Sequence, residues 1–212
     1  MQRRAHEVVG VWRVVVVLAT GVWMLAPAAA FGQAAPDATR DPIAIAVERG
    51  AHDGPAVEGY GRVFRVDDPD LAFAPSGDSY KVVFEVSEGA SSPDRPNTKI
   101  ANVARFLNMH GAAGVPSENM HLAVVLHGSA SWEALDDEGY QAKYGMNNPS
   151  RPLLDALSAA GVRIYLCSQS AASRGLEKAR VAPPVSLAFS AMTAIVSLQA
   201  QGYSHISHDW PR

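Results

Sequence analysis

The chain has 212 residues, with 18 Lys and Arg against 21 Asp and Glu, a formal net charge of −3 and a single cysteine, Cys167. A mildly acidic balance gives no general attraction for nucleic acid. One thiol excludes an internal disulfide, so stability rests on an ordinary core, which a hydrophobic content of 48% can supply.

The opening, MQRRAHEVVGVWR, is basic through Arg3, Arg4 and Arg13, and the apolar run VVVVLATGVWMLAPAAA follows it. A charged start, an apolar middle and A-x-A-type cleavage choices after Ala30 or Ala34 are the build of a secretory signal peptide over residues 1–30. The segment from Val14 to Phe31 is also about long enough to span a bilayer, so an uncleaved anchor is the rival reading. Gly21 and Pro27 interrupt that run, and the small-residue tail suits a peptidase. The expected mature protein is periplasmic or secreted, with no membrane contact after cleavage and a formal charge of −5.

Residues 31–79 are rich in Ala, Pro, Gly and Asp and show no sustained helix or strand period, which reads as a linker followed by an extended arm, YGRVFRV. From Tyr80 the pattern becomes organised. YKVVFEVS is a short apolar, β-branched run between turn residues, the signature of a strand buried on both faces. TKIANVARFLNMHGAAG follows at helical spacing, with Asn97 or Thr98 as cap and Gly111 or Gly114 at its stop. MHLAVVLHG is a second strand. RPLLDALSAAGV is a second helix with Pro152 in its first turn and Gly161 at its end. RIYLCS and VSLAF are further strands, AMTAIVSLQAQG is a helix, and YSHIS is a last short strand before a tail at 208–212.

Strands alternating with helices at this spacing predict an α/β fold: a flavodoxin-like three-layer sandwich with a five-stranded, mainly parallel sheet over residues 80–207. Ligands of such sheets bind beyond the carboxyl ends of the strands, where the strand order reverses. In the order 2-1-3-4-5 that point lies between the first and third strands, and Cys167 ends the third.

A thiol entering the turn before a helix stands where backbone N–H groups favour an anion, which lowers its pKa and makes it nucleophilic. The following Ser168, Gln169 and Ser170 can hold a thiolate or a bound persulfide, with Arg174 further on. The bland alternative is a small buried hydrophobe. His127 ends the second strand and can move a proton at the same rim. The order 2-1-3-4-5 separates the second and third strands by roughly 10 Å, so a direct pair of Cys167 and His127 requires a bent loop or a neighbouring subunit. An imidazole bonded to loop backbone is the other reading of His127. The loop SEGASSPDRPN overhangs the rim, making Ser87, Glu88 and Asn97 candidate lining residues, although such stretches are commonly plain solvated loop.

No zinc spacing is present: His121 and His127 are too far apart on one strand, and His205 and His208 have no acidic or Cys partner in sequence. No GxGxxG, P-loop or GxSxG occurs, so no cofactor is expected.

The series YKVVFEVS, NVARFLNMHGAAGVP, LAVVLHGSASWEAL, NPSRPLLDALSAAGVRIYLCSQSAASRG and LAFSAMTAIVSLQAQGYSHI resembles the DsrE/DsrF-like family, and in particular its exported members, over about residues 60–207. That resemblance implies a flavodoxin-like subunit, assembly into trimers or hexamers, and a sulfurtransferase or sulfur-carrier role with a sulfur donor or acceptor protein as partner. It makes Cys167 the persulfide carrier. Ser168 departs from the CGQS pattern of exported relatives and puts a side chain beside the thiol. In the helix SAMTAIVSLQAQG, Ala191, Ile195 and Leu198 form one apolar stripe while Met192, Val196 and Gln199 form a second, semi-apolar one, which fits a facing neighbour and an ordinary two-sided core contact equally well.

Overall fold

The structure is a computed structural model that describes residues 41–66 and 79–207. The expected signal peptide at 1–30, the linker residues 31–40 and 67–78, and the tail at 208–212 lie outside the described residues. Among those described, no helix is long and apolar enough to cross a membrane.

In chain order the elements are α1 (Pro42–Glu48), β1 (Tyr80–Val86), α2 (Thr98–Ala112), β2 (Met120–Leu126), α3 (Asp137–Tyr144), α4 (Arg151–Ala159), β3 (Arg163–Cys167), α5 (Ser168–Ser173), β4 (Val185–Ala188), α6 (Ala191–Ala200) and β5 (Ser204–Ser207). All four strand pairings are parallel, and the sheet runs β4-β3-β2-β1-β5. Alternate residues of each strand face opposite layers. Val82, Phe84, Val86, Leu122, Val124, Leu126, Ile164 and Leu166 face a core made with α2 and α4. Val83, Ala123, Val125 and Cys167 face a smaller core made with α6, through Ala191, Ile195 and Leu198. The expected three-layer α/β architecture is therefore the observed one.

The strand order 2-1-3-4-5 is not. The second strand lies between the first and the third, because α2 and α4 cover the same face and carry the chain outward from β1 in successive steps. Only α6, on the opposite face, brings the chain back to place β5 beside β1. The change of face occurs between the connection leaving β3 and the one leaving β4. Ala171 of α5 packs into the α2–α4 core, whereas α6 packs on the other side. The topological switch thus falls at the carboxyl ends of β3 and β4, and Cys167 pairs there with Ala188.

Two further differences concern local structure. The stretch read as linker contains α1, and the arm after it closes on itself through an antiparallel bridge between His52 and Val63. The arm is clasped by Asn108 of α2, which accepts from the N–H groups of Ala56 and Val57 at 3.0 and 2.8 Å and donates to the carbonyls of Val57 and Tyr60 at 3.0 and 2.9 Å. After β2, the Gly128–Ser129 pair opens a 3-10 helix, Gly128–Ala134, in a stretch to which the sequence assigns no element.

Candidate functional site

Cys167 is the last residue of β3 and the N-cap of α5. Its sulfur accepts a hydrogen bond from the Ser170 N–H at 3.4 Å. Burial, the largest influence, pushes the thiol pKa up. The Ser170 hydroxyl and the backbone N–H groups of Ser170, Ala191 and Gln169 outweigh it, so the thiol is held below its ordinary value. These donors come from both sides of the switch, from the start of α5 and from the start of α6. The residue itself is 4% exposed.

The other predicted residues fall into two groups. Ser168 and Ser170 are half-buried beside the sulfur and Gln169 is exposed, so Gln169 serves the thiol through its N–H. Ser170 also accepts at Oγ from the Gly128 N–H at 3.2 Å, which ties α5 to the residue after His127. Asn97 belongs elsewhere: it caps α2, accepting from the Lys99 and Ile100 N–H groups, and it donates to the Glu88 carbonyl at 2.9 Å. Its side chain is consumed by that loop on the α2 side. Glu88 pairs with Lys99. Arg174, at the far end of α5, donates to the Ser170 carbonyl and the Ser173 hydroxyl.

His127 lies closer to Cys167 than the sequence suggested. The register of β2 and β3 pairs Leu126 with Leu166, so His127 and Cys167 are the next residues at the same height. His127 keeps extended backbone, and its N–H still donates to the Val86 carbonyl of β1 at 3.1 Å. The alternation therefore continues, and His127 faces the same layer as Val125 and Cys167. Neighbouring strands are about 4.8 Å apart, so the two residues are neighbours across the β2–β3 pair without any bent loop, while the sulfur is bonded to the Ser170 N–H and the His127 ring to Glu85.

Sequence reasoning missed the carboxylate behind this histidine. Glu85 of β1, two residues after Val83 on the same face, accepts from His127 Nε2 at Oε1 and from His205 Nε2 at Oε2, both at 2.9 Å. His205, which looked partnerless in sequence, is thus hydrogen-bonded to a carboxylate 120 residues away in the chain. The signal was a lone Glu inside the otherwise apolar YKVVFEV, since a strand buried on both faces does not hold a carboxylate without donors. From the shared height of Cys167 and His127 on β3 and β2, the row steps down to Glu85 on β1 and then to His205 on β5. Among the described residues, no group of three or more Cys, His, Asp and Glu side chains is arranged to hold a metal ion.

Gly128 makes this corner possible. Its φ is +53°, and a Cβ there would stand 2.5 Å from the Ser87 carbonyl oxygen. Only glycine takes that conformation without strain.

No curated protein matches the chain. A solved protein of unknown function from Methanobacterium thermoautotrophicum shares 21% identity, covering 61% of this chain and 99% of its own, with a TM-score of 0.45. The ychN protein of E. coli shares 15% identity over 60% of this chain and 98% of its own, with a TM-score of 0.46. The profile of the DsrE/DsrF-like family matches residues 80–208, which includes all five strands and more than half of the sequence. The chain belongs to the DsrE/DsrF-like family.

Proposed function

We propose that this protein is an exported sulfur carrier that holds sulfane sulfur as a persulfide on Cys167. The observation that carries the reading is the environment of the sulfur, where an Oγ–H and three backbone N–H groups lower the thiol pKa at the sheet's switch point. Family membership and the basic-then-apolar opening of the chain support it.

The step balances without an external oxidant. The Cys167 thiolate attacks the terminal sulfur of a donor persulfide; a new S–S bond forms on Cys167, the donor's S–S bond breaks, and the donor leaves as a thiolate. In delivery, an acceptor thiolate attacks the outer sulfur on Cys167, which departs as a thiolate stabilised by the same N–H groups. His127 takes the proton of the resting thiol and returns one to the leaving group. The anion site serves both the thiolate and the persulfide.

The carrier works as a homo-oligomer, a trimer or hexamer. Ala191, Ile195 and Leu198 are buried against the sheet, while Met192 and Val196 on the other side of α6 are 77% and 65% exposed. Phe189, just before α6, is 75% exposed. A second copy covering this apolar surface would border the switch point.

A second reading has its own support. Cys167 packs within an apolar cluster with Val83, Val125 and Ile195, as a structural cysteine of a binding module does. Loading the native chain with a low-molecular-weight persulfide separates the two: the carrier gains 32 Da on Cys167 and passes that mass to an acceptor thiol, whereas Cys167→Ser gains nothing. A wild type that takes up no sulfur when folded leaves the binding-module reading.

A further inference from the structure

We infer that Glu85 is a positioning residue of the thiol site, holding His127 in the tautomer that serves Cys167 and coupling it to His205; the inference rests on the reading of Cys167 as a reactive thiol.

A carboxylate has no proton to give at neutral pH, so each imidazole nitrogen bonded to Glu85 carries the hydrogen. His127 Nε2 and His205 Nε2 are therefore both donors, each 2.9 Å from its own oxygen of Glu85. For a neutral His127 this leaves the lone pair on Nδ1, the nitrogen through which the ring would accept a proton in the proposed thiol step. The carboxylate also stabilises the imidazolium formed when the proton arrives, as the buried acid does in nucleophile–histidine–acid sites of other folds. Glu85 is itself anchored twice: it belongs to the ladder of β1 with β2 and β5, and its second oxygen is held by His205. Removing His205 frees one oxygen but leaves the bond to His127.

Among the described residues, the other charged or titratable groups on this face include His121, exposed on β2 six residues before His127 and paired in register with Lys81. Lys81 shares the face on β1 and donates to the Gln201 carbonyl. Tyr165 precedes Cys167 by two residues on β3, and the Tyr203 hydroxyl accepts from Arg163. The α6 helix, AMTAIVSLQA, brings no titratable side chain. Among the described residues, Glu85 is the charged group bonded to the His127 ring, and His205 is bonded to the second oxygen of Glu85.

The test is the pH profile of Cys167 alkylation by iodoacetamide in the full chain, read by intact mass, for wild type, Glu85→Gln, His205→Asn, His127→Asn and the double variant Glu85→Gln with His127→Asn. The expected result is a loss of at least about tenfold in native rate near pH 7 for Glu85→Gln. Its apparent pKa moves toward that of a free thiol, and the double variant loses no more than His127→Asn alone. His205→Asn gives a smaller loss. A Glu85→Gln profile that overlays wild type overturns the inference while leaving the thiol reading intact, whereas a wild-type thiol inert until unfolding overturns both. Should Glu85→Gln fail to fold, the imidazole 15N shifts of the wild type decide: a protonated Nε2 with an unprotonated Nδ1 on neutral His127 is required, and the opposite tautomer overturns the inference.

Discussion

His127 and Cys167 stand at the same height on adjacent strands and face the same layer of the sheet. The pairing follows from the strand order β4-β3-β2-β1-β5. It gives the lone cysteine a histidine on one flank and the start of α6 on the other. The predictions below probe the pieces that hold this arrangement.

Gly128→Ala tests the corner after His127. The new methyl group would meet the Ser87 carbonyl at 2.5 Å in a left-handed backbone conformation, at a cost of about 1–3 kcal/mol. The Gly128 N–H also donates to Ser170 Oγ, so the shift reaches the thiol. Urea unfolding should show the lost stability, and native Cys167 labelling should slow in the same variant.

Asn108→Ala tests the clasp on the arm. It removes a buried amide that satisfies two N–H groups and carbonyls of residues 56–61, a loss of roughly 3 kcal/mol. Limited proteolysis between residues 51 and 63 should accelerate, while the reactivity of Cys167, on the opposite face of the sheet, should stay at the wild-type level.

His110 sets an acid sensitivity. It is buried on α2, stacked on Phe106 with ring centroids 3.9 Å apart. Burial lowers its pKa below 6.5, against the opposing effect of its bond to the Phe106 carbonyl. The folded chain then binds fewer protons than the unfolded one just below pH 6.5. The neutral ring's contribution is complete above that pH and declines as pH falls toward the folded pKa, with a slope of at most about 1.4 kcal/mol per unit for one proton. Denaturant midpoints at pH 7.5 and 5 should differ more for wild type than for His110→Gln.

Much of this molecule was legible in its sequence. The five strands and the helices α2, α4 and α6 were marked by apolar period, by caps such as Asn97, and by Gly161 at a stop. What decides strand order is which face each connection covers, and that depends on packing between segments far apart in the chain. The order 2-1-3-4-5 failed for this reason, and with it the separation of His127 from Cys167. Glu85 and His205 were hidden for a related reason: their bond spans 120 residues, and neither neighbour is suggested by local spacing. The α3 helix escaped notice because Tyr140 alone is buried on it, leaving no apolar stripe to detect. Cys167 itself was found because a strand end followed by a helix start is a local feature.

The account stands most directly on the rate of Cys167 alkylation against pH in the native chain, read by intact mass. It predicts labelling of the folded protein with an apparent pKa below the free-thiol value of about 8.5, as the N–H groups around the sulfur require. A thiol that labels only after denaturant is added would contradict it and mark Cys167 as a packed structural residue.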